Sequence, residues 1–152
     1  MKKIILTGIL LLGSLPAFAS SNNCKDFSGV YFSKDSALES CHSIEQNSCE
    51  SFKYTFYTPS GEPVDYLNFI TDGVFRRYES QPSTQKAHKH NLDGTLLFAF
   101  VKDSGLNSRT ISKLLSTGDI ESNVTWDYPD GRHYSETYIK KRLTSPQECA
   151  KY

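Results

Sequence analysis

No apolar run in this 152-residue chain is long enough to cross a bilayer as a helix. The longest, Ile4 to Leu15, has about twelve residues, whereas a hydrocarbon core of roughly 30 Å calls for about twenty. Nor is there an excess of either charge: 17 Lys and Arg face 17 Asp and Glu. That balance lacks the basic surplus by which nucleic-acid binders announce themselves. The sequence has no Cys-x-x-Cys, and its cysteine spacings of 17, 8 and 100 fit no common zinc module. It has no Gly-x-Ser-x-Gly elbow for a nucleophilic serine. Helical periodicity is nearly missing, and there is no internal repeat, low-complexity tract or linker.

What is present begins with an export signal. Lys2 and Lys3 precede the apolar run, and Ala17-Phe18-Ala19 closes it with a small-x-small exit. That order predicts a signal peptide over residues 1–19, cut after Ala19. The mature chain is then expected to start at Ser20 and to form one domain over 20–152, a length sufficient for its own core. Losing Lys2 and Lys3 leaves 15 basic against 17 acidic residues, a formal charge of −2. The leader is of bacterial type, so the expected location is periplasmic or secreted. Glycosylation at Asn123-Val124-Thr125 is accordingly set aside. No cysteine stands at the cleavage point and Cys24 lies further on, so no lipid anchor is expected.

Cys24, Cys41, Cys49 and Cys149 form an even set in an exported chain, which reads as two disulfides. The favoured pairing is Cys41–Cys49 as a short local loop with Cys24–Cys149 tying the ends. The competing one is Cys24–Cys41 with Cys49–Cys149.

Short runs rich in Tyr, Phe, Val, Ile and Thr recur between turn signals, the pattern of an all-β chain. Strands are predicted over 27–33, 51–58, 64–71, 74–79, 86–91, 95–102, 120–128 and 132–143. Residues 110–116 fit a strand or a helical turn, and 35–47 a short helix or an irregular loop. Asp72-Gly73, Asp93-Gly94 and Asp130-Gly131 predict tight two-residue hairpins. Thr95–Lys102 is the most apolar strand and is expected to be the most buried. The fold class is an antiparallel up-and-down meander of eight or nine strands closing into a small barrel, which removes its edges, with a two-sheet sandwich as the alternative.

Phe27-Ser28-Gly29-Val30-Tyr31 at the first strand resembles the opening of the calycins, the lipocalin-like barrels. Lipocalins carry Gly-x-Trp there, and Tyr31 stands in for the Trp. The resemblance implies that Arg142, late in the last strand, packs over that aromatic. It also implies that a disulfide through Cys149 pins the C-terminal tail, and that the barrel holds a small ligand.

The aromatic inventory of nine Tyr, nine Phe and the single Trp126 lies almost wholly in the predicted strands. Tyr54, Phe56, Phe98, Phe100, Trp126 and Tyr138 are the candidates to line an interior, either a cavity for a small apolar or amphipathic ligand or a filled core. A buried Tyr hydroxyl wants a partner, which favours a polar-decorated pocket. His88 and His90 share one face of a strand and are weak metal candidates, with His133, Glu136 or His42 as a third ligand. The opposing reading makes Lys86, His88, Lys89 and His90 a solvated basic edge. Arg76-Arg77-Tyr78 or Trp126-Asp127-Tyr128 could instead form a surface for an envelope or secreted protein. The expectation is a binding protein rather than an enzyme, with no cofactor, no nucleic acid and no membrane span. The runner-up is an interaction or inhibitor module, and a metal-dependent enzyme using His88 and His90 comes third.

Overall fold

The computed structural model describes residues 24–34, 39–79 and 81–152. The expected signal peptide over 1–19 and the expected start at Ser20 lie outside the described residues. Ten antiparallel strands form a single strongly curled sheet, a half-barrel. They are β1 (Gly29–Lys34), β2 (Glu39–Asn47), β3 (Ser51–Tyr57), β4 (Pro63–Ile70), β5 (Arg76–Tyr78), β6 (Gln81–His90), β7 (Leu96–Lys102), β8 (Asn107–Leu114), β9 (Ile120–Asp127) and β10 (His133–Leu143). A 3-10 helix follows over Pro146–Lys151. No helix among the described residues is long and apolar enough to cross a membrane.

The strand order is β4-β3-β2-β1-β10-β9-β8-β7-β6-β5, so the meander is joined in mid-sheet by the pairing of its first and last strands. Tyr31 lies opposite Arg142 in that pair, and Val30 opposite Leu143. The two edges, β4 and β5, are neighbours in sequence but do not pair. Asp72-Gly73, expected as a hairpin, reaches across to β6 instead. Asp72 bridges Lys89, and the Gly73 N–H donates to the His88 carbonyl at 2.8 Å. Arg76 holds the Asp72 carboxylate through both terminal nitrogens, which fixes the departure of β5. Phe69 of β4 meets the His88 ring at 4.0 Å, so side chains close over a seam that the backbone leaves open.

Five hairpins share one loop. Thr58, Asn91, Lys102, Leu115 and Tyr128 each donate to the carbonyl four residues on and accept from a glycine three residues on. Those glycines, at 61, 94, 105, 118 and 131, have φ between 79° and 88°. A type I turn followed by a left-handed residue gives this geometry, and a side chain would strain there. Asp93-Gly94 and Asp130-Gly131 therefore end longer loops rather than forming two-residue turns.

Further expectations are corrected. Residues 39–47 are strand β2, not helix or loop, and 107–114 are strand β8. With these the count is ten rather than eight or nine. β7 is not the most buried strand: Phe98 and Phe100 face the open lumen and are half-buried, Leu97 and Ala99 on the other face are also only half-buried, and Val101 and Lys102 are exposed. The disulfides are Cys24–Cys49 and Cys41–Cys149, with Cα separations of 5.7 and 6.0 Å. Neither weighed pairing occurs. Cys41 lies within β2 and Cys49 in the turn beyond Asn47, so at about 3.3 Å per residue the strand alone holds them about 20 Å apart.

Two apolar clusters hold the sheet. Phe27, Tyr31, Ile44, Phe52, Leu96 and Ile120 plug one end of the half-barrel, with Tyr54 and Leu114 against them. Outside the sheet, Cys41, Leu143 and Cys149 pack with Val30, Phe32 and Tyr57. Here the disulfide draws the C-terminal 3-10 helix onto the β1–β2 face, and Tyr152 stacks on Phe32 at 4.5 Å. A side chain at Gly61 would meet the Pro146 carbonyl at 2.9 Å, so the β3–β4 turn also rests on this helix.

Candidate functional site

Alternation along each strand sends every second side chain into the curl. On the inner face β6 presents Lys86, His88 and His90 opposite Phe100, Phe98 and Leu96 of β7. β7 in turn faces Ser108, Thr110 and Ser112 of β8. β8 faces Trp126, Val124 and Ser122 of β9. Large rings thus line β3, β4 and β7, whereas β8 and part of β9 carry small polar groups. That contrast in volume leaves a cavity of about 310 Å³ above the plugged end.

Tyr54, Phe56, Phe98, Phe100, Trp126 and Tyr138 all line this one cavity. So do Phe69, Lys86, His88, His42 and Lys140, together with Ser108, Thr110 and Ser112. The interior is therefore a filled core at one end and a cavity toward the other. The reading of Lys86, His88, Lys89 and His90 as a solvated edge is corrected: Lys89 is exposed, while His88 is buried and Lys86 half-buried against the lumen.

The histidines carry the site's polarity. His42 and His88 are each 3 % exposed. Neither ring nitrogen of His42 has a hydrogen-bond partner among the described residues, nor does Nδ1 of His88. His42 stacks on Tyr54 at 5.8 Å, and His88 on Phe98 at 4.7 Å. Burial is the main reason that both titrate far below an ordinary histidine, at about 3, and the Lys140 charge lowers both further. Lys86 also acts on His88. At neutral pH each imidazole is uncharged and offers one donor and one acceptor. The Tyr54 hydroxyl is pushed upward, again by burial first. Burial lowers Lys86 as well.

His90 points into the plug, 5.2 Å from the Phe52 ring. His133 opens β10 on the outer face, with Nδ1 2.7 Å from the carboxylate of its cross-strand neighbour Asp127. Glu136 accepts from the Tyr134 hydroxyl at 3.0 Å. No group of three metal-ligating side chains comes together among the described residues.

In the two alternative surface triplets, Arg76 pairs with Asp72 and Arg77 with Asp103, while Trp126 faces the lumen. At the plug, the fully buried Tyr31 donates its hydroxyl to the Phe27 carbonyl at 3.0 Å. Opposite it, Arg142 donates to the Ser28 carbonyl at 3.2 Å and so ties β10 to the entry of β1.

Lys140 and the serine wall were not singled out by sequence reasoning, and Lys86 was read only as part of a solvated edge. Ser108-x-Thr110-x-Ser112 was the available signal, a strand with small polar residues on one face. No protein-family model matches the chain, and no curated protein matches it.

Proposed function

We propose that this is an exported binding protein, not a catalyst, which holds a small apolar or amphipathic molecule in the half-barrel lumen. One observation carries the reading: a cavity of about 310 Å³ faced by aromatic rings also contains buried imidazole nitrogens with no partner among the described residues. Buried polar atoms are ordinarily satisfied, and a guest or ordered water would satisfy these. The volume is at the small end for ligand pockets, which fits a compact guest. Two disulfides fit an oxidising compartment outside the cytoplasm, periplasmic or secreted.

Native mass spectrometry of the protein purified from its host tests the reading, together with titration by the neutral dye N-phenyl-1-naphthylamine. The expected results are an extra mass that leaves on denaturation, or quenching of Trp126 as the dye enters. A bare polypeptide mass with no quenching at any dye concentration overturns the reading. A second reading, docking of a secreted or envelope protein, has its own support: Val64, Tyr66, Ile70, Val74 and Phe75 are exposed on and just beyond the edge strand β4. A partner retained by the wild type and lost on Tyr66→Asp, with the cavity empty, would favour it.

A further inference from the structure

The cavity wall bears cations, and among the described residues no acid. Lys86 and Lys140 line it, and no Asp or Glu does. β6 and β10 are separated by β7, β8 and β9, so the two lysines enter the lumen from well-separated parts of the curl. Two acids hold inward register positions, Asp65 opposite Phe56 and Glu136 opposite Val124. Neither lines the cavity; Asp65 is exposed, and Glu136 is bonded to Tyr134.

Lys86 is the more telling of the two cations. It is half-buried, and among the described residues it meets no carboxylate and no hydrogen-bond acceptor. Its ammonium instead lies 5.8 Å from the centre of the Phe69 ring. A ring face compensates only part of the cost of taking a charge out of water. An aliphatic side chain would avoid that cost. The ammonium is advantageous there if an anion comes to it. Phe100 is its direct cross-strand neighbour, and Phe98 and Trp126 lie further along the same lining. A charged head and an apolar body would thus be met side by side.

We propose that the cavity selects an amphipathic anion: a carboxylate, sulfonate or phosphate monoester head on Lys86, with an aromatic or short aliphatic body against Phe98, Phe100 and Trp126. This rests on the binding reading above.

The test uses two dyes with one skeleton. N-phenyl-1-naphthylamine is neutral, and 8-anilinonaphthalene-1-sulfonate adds a single sulfonate. Both are titrated into the disulfide-intact protein at low salt, following energy transfer from Trp126, the chain's one tryptophan. The sulfonate is expected to bind at least tenfold more tightly, and its advantage should shrink as salt is raised. Lys86→Met keeps the aliphatic stem and should cost the sulfonate fivefold or more while moving the neutral dye less than twofold. Lys86→Arg, which keeps the charge, should retain the preference and shows that loss in the Met variant is not misfolding. Equal affinity for the two dyes, or a Met variant that still prefers the sulfonate, overturns the anion assignment and leaves the binding reading intact. If neither dye accepts energy from Trp126, the binding reading fails and this assignment fails with it.

Discussion

Inside the lumen, the titration of single side chains has a consequence for the whole fold. His42 and His88 titrate at about 3 when folded, against 6.5 for an ordinary histidine. Between those values the unfolded chain takes up protons that the folded chain refuses, so stability falls as pH falls. Above about 6.5 the effect is absent. Well inside the window each histidine contributes a slope of about 1.4 kcal/mol per pH unit. Urea midpoints measured from pH 7 to pH 4.5 should therefore decline steadily, mostly above the range in which carboxylates titrate. His42→Asn with His88→Asn should flatten that decline, and an unchanged slope in the double variant would contradict the assignment. A second single-residue effect concerns Ser112 and Ser122, whose buried hydroxyls share a 2.9 Å hydrogen bond. Ser112→Ala should cost about 1–2 kcal/mol by stranding the Ser122 hydroxyl. Adding Ser122→Ala should recover part of that loss in chemical denaturation, a non-additivity expected of direct partners.

At the level of elements, the inner face explains what could be read from the sequence and what could not. β3 was legible because Phe52, Tyr54 and Phe56 alternate with polar residues, and β9 and β10 were legible for similar reasons. β2 was not, although it is a strand of nine residues. Its inward positions are Ser40, His42, Ile44 and Gln46, and apolar alternation cannot mark a strand whose lumen face is polar. The same blindness hid Ser108, Thr110 and Ser112, whose small size makes the cavity possible. The aromatic candidates were found because rings mark themselves; Lys86 was read as surface because a lysine beside histidines ordinarily is. Asp93-Gly94 and Asp130-Gly131 lie in turns that join the strands expected on either side, β6 to β7 and β9 to β10. Asp72-Gly73 has the same local chemistry, but tertiary contacts with β6 redirect it. Disulfide connectivity was beyond reach because proximity in sequence misleads when the intervening residues are extended.

For the molecule as a whole, Cys41–Cys149 is the most consequential covalent link, with a sequence separation of 108. In the chain-entropy account such a loop is worth about 5 kcal/mol, and the Cys24–Cys49 loop of 25 about 3.5 kcal/mol. Replacing Cys41 and Cys149 together by Ala should therefore lower unfolding free energy more than replacing Cys24 and Cys49, and denaturant titration compares them directly. The same pair of chain ends also meets in the backbone, where β1 is paired with β10 in mid-sheet. Val30 finds Leu143 only after nearly the whole chain has been made and released. A polypeptide delivered N-terminus first can form the β2–β3 and β3–β4 hairpins early, but its first strand must wait for its last. Every other strand pairing joins neighbours in sequence, so the slow event in maturation is the zipping of this one pair of distant segments, which carries the largest loop-closure cost. Until that happens both flanks of the nascent sheet are exposed, so attachment of the final strand is the stage most vulnerable to a wayward neighbour.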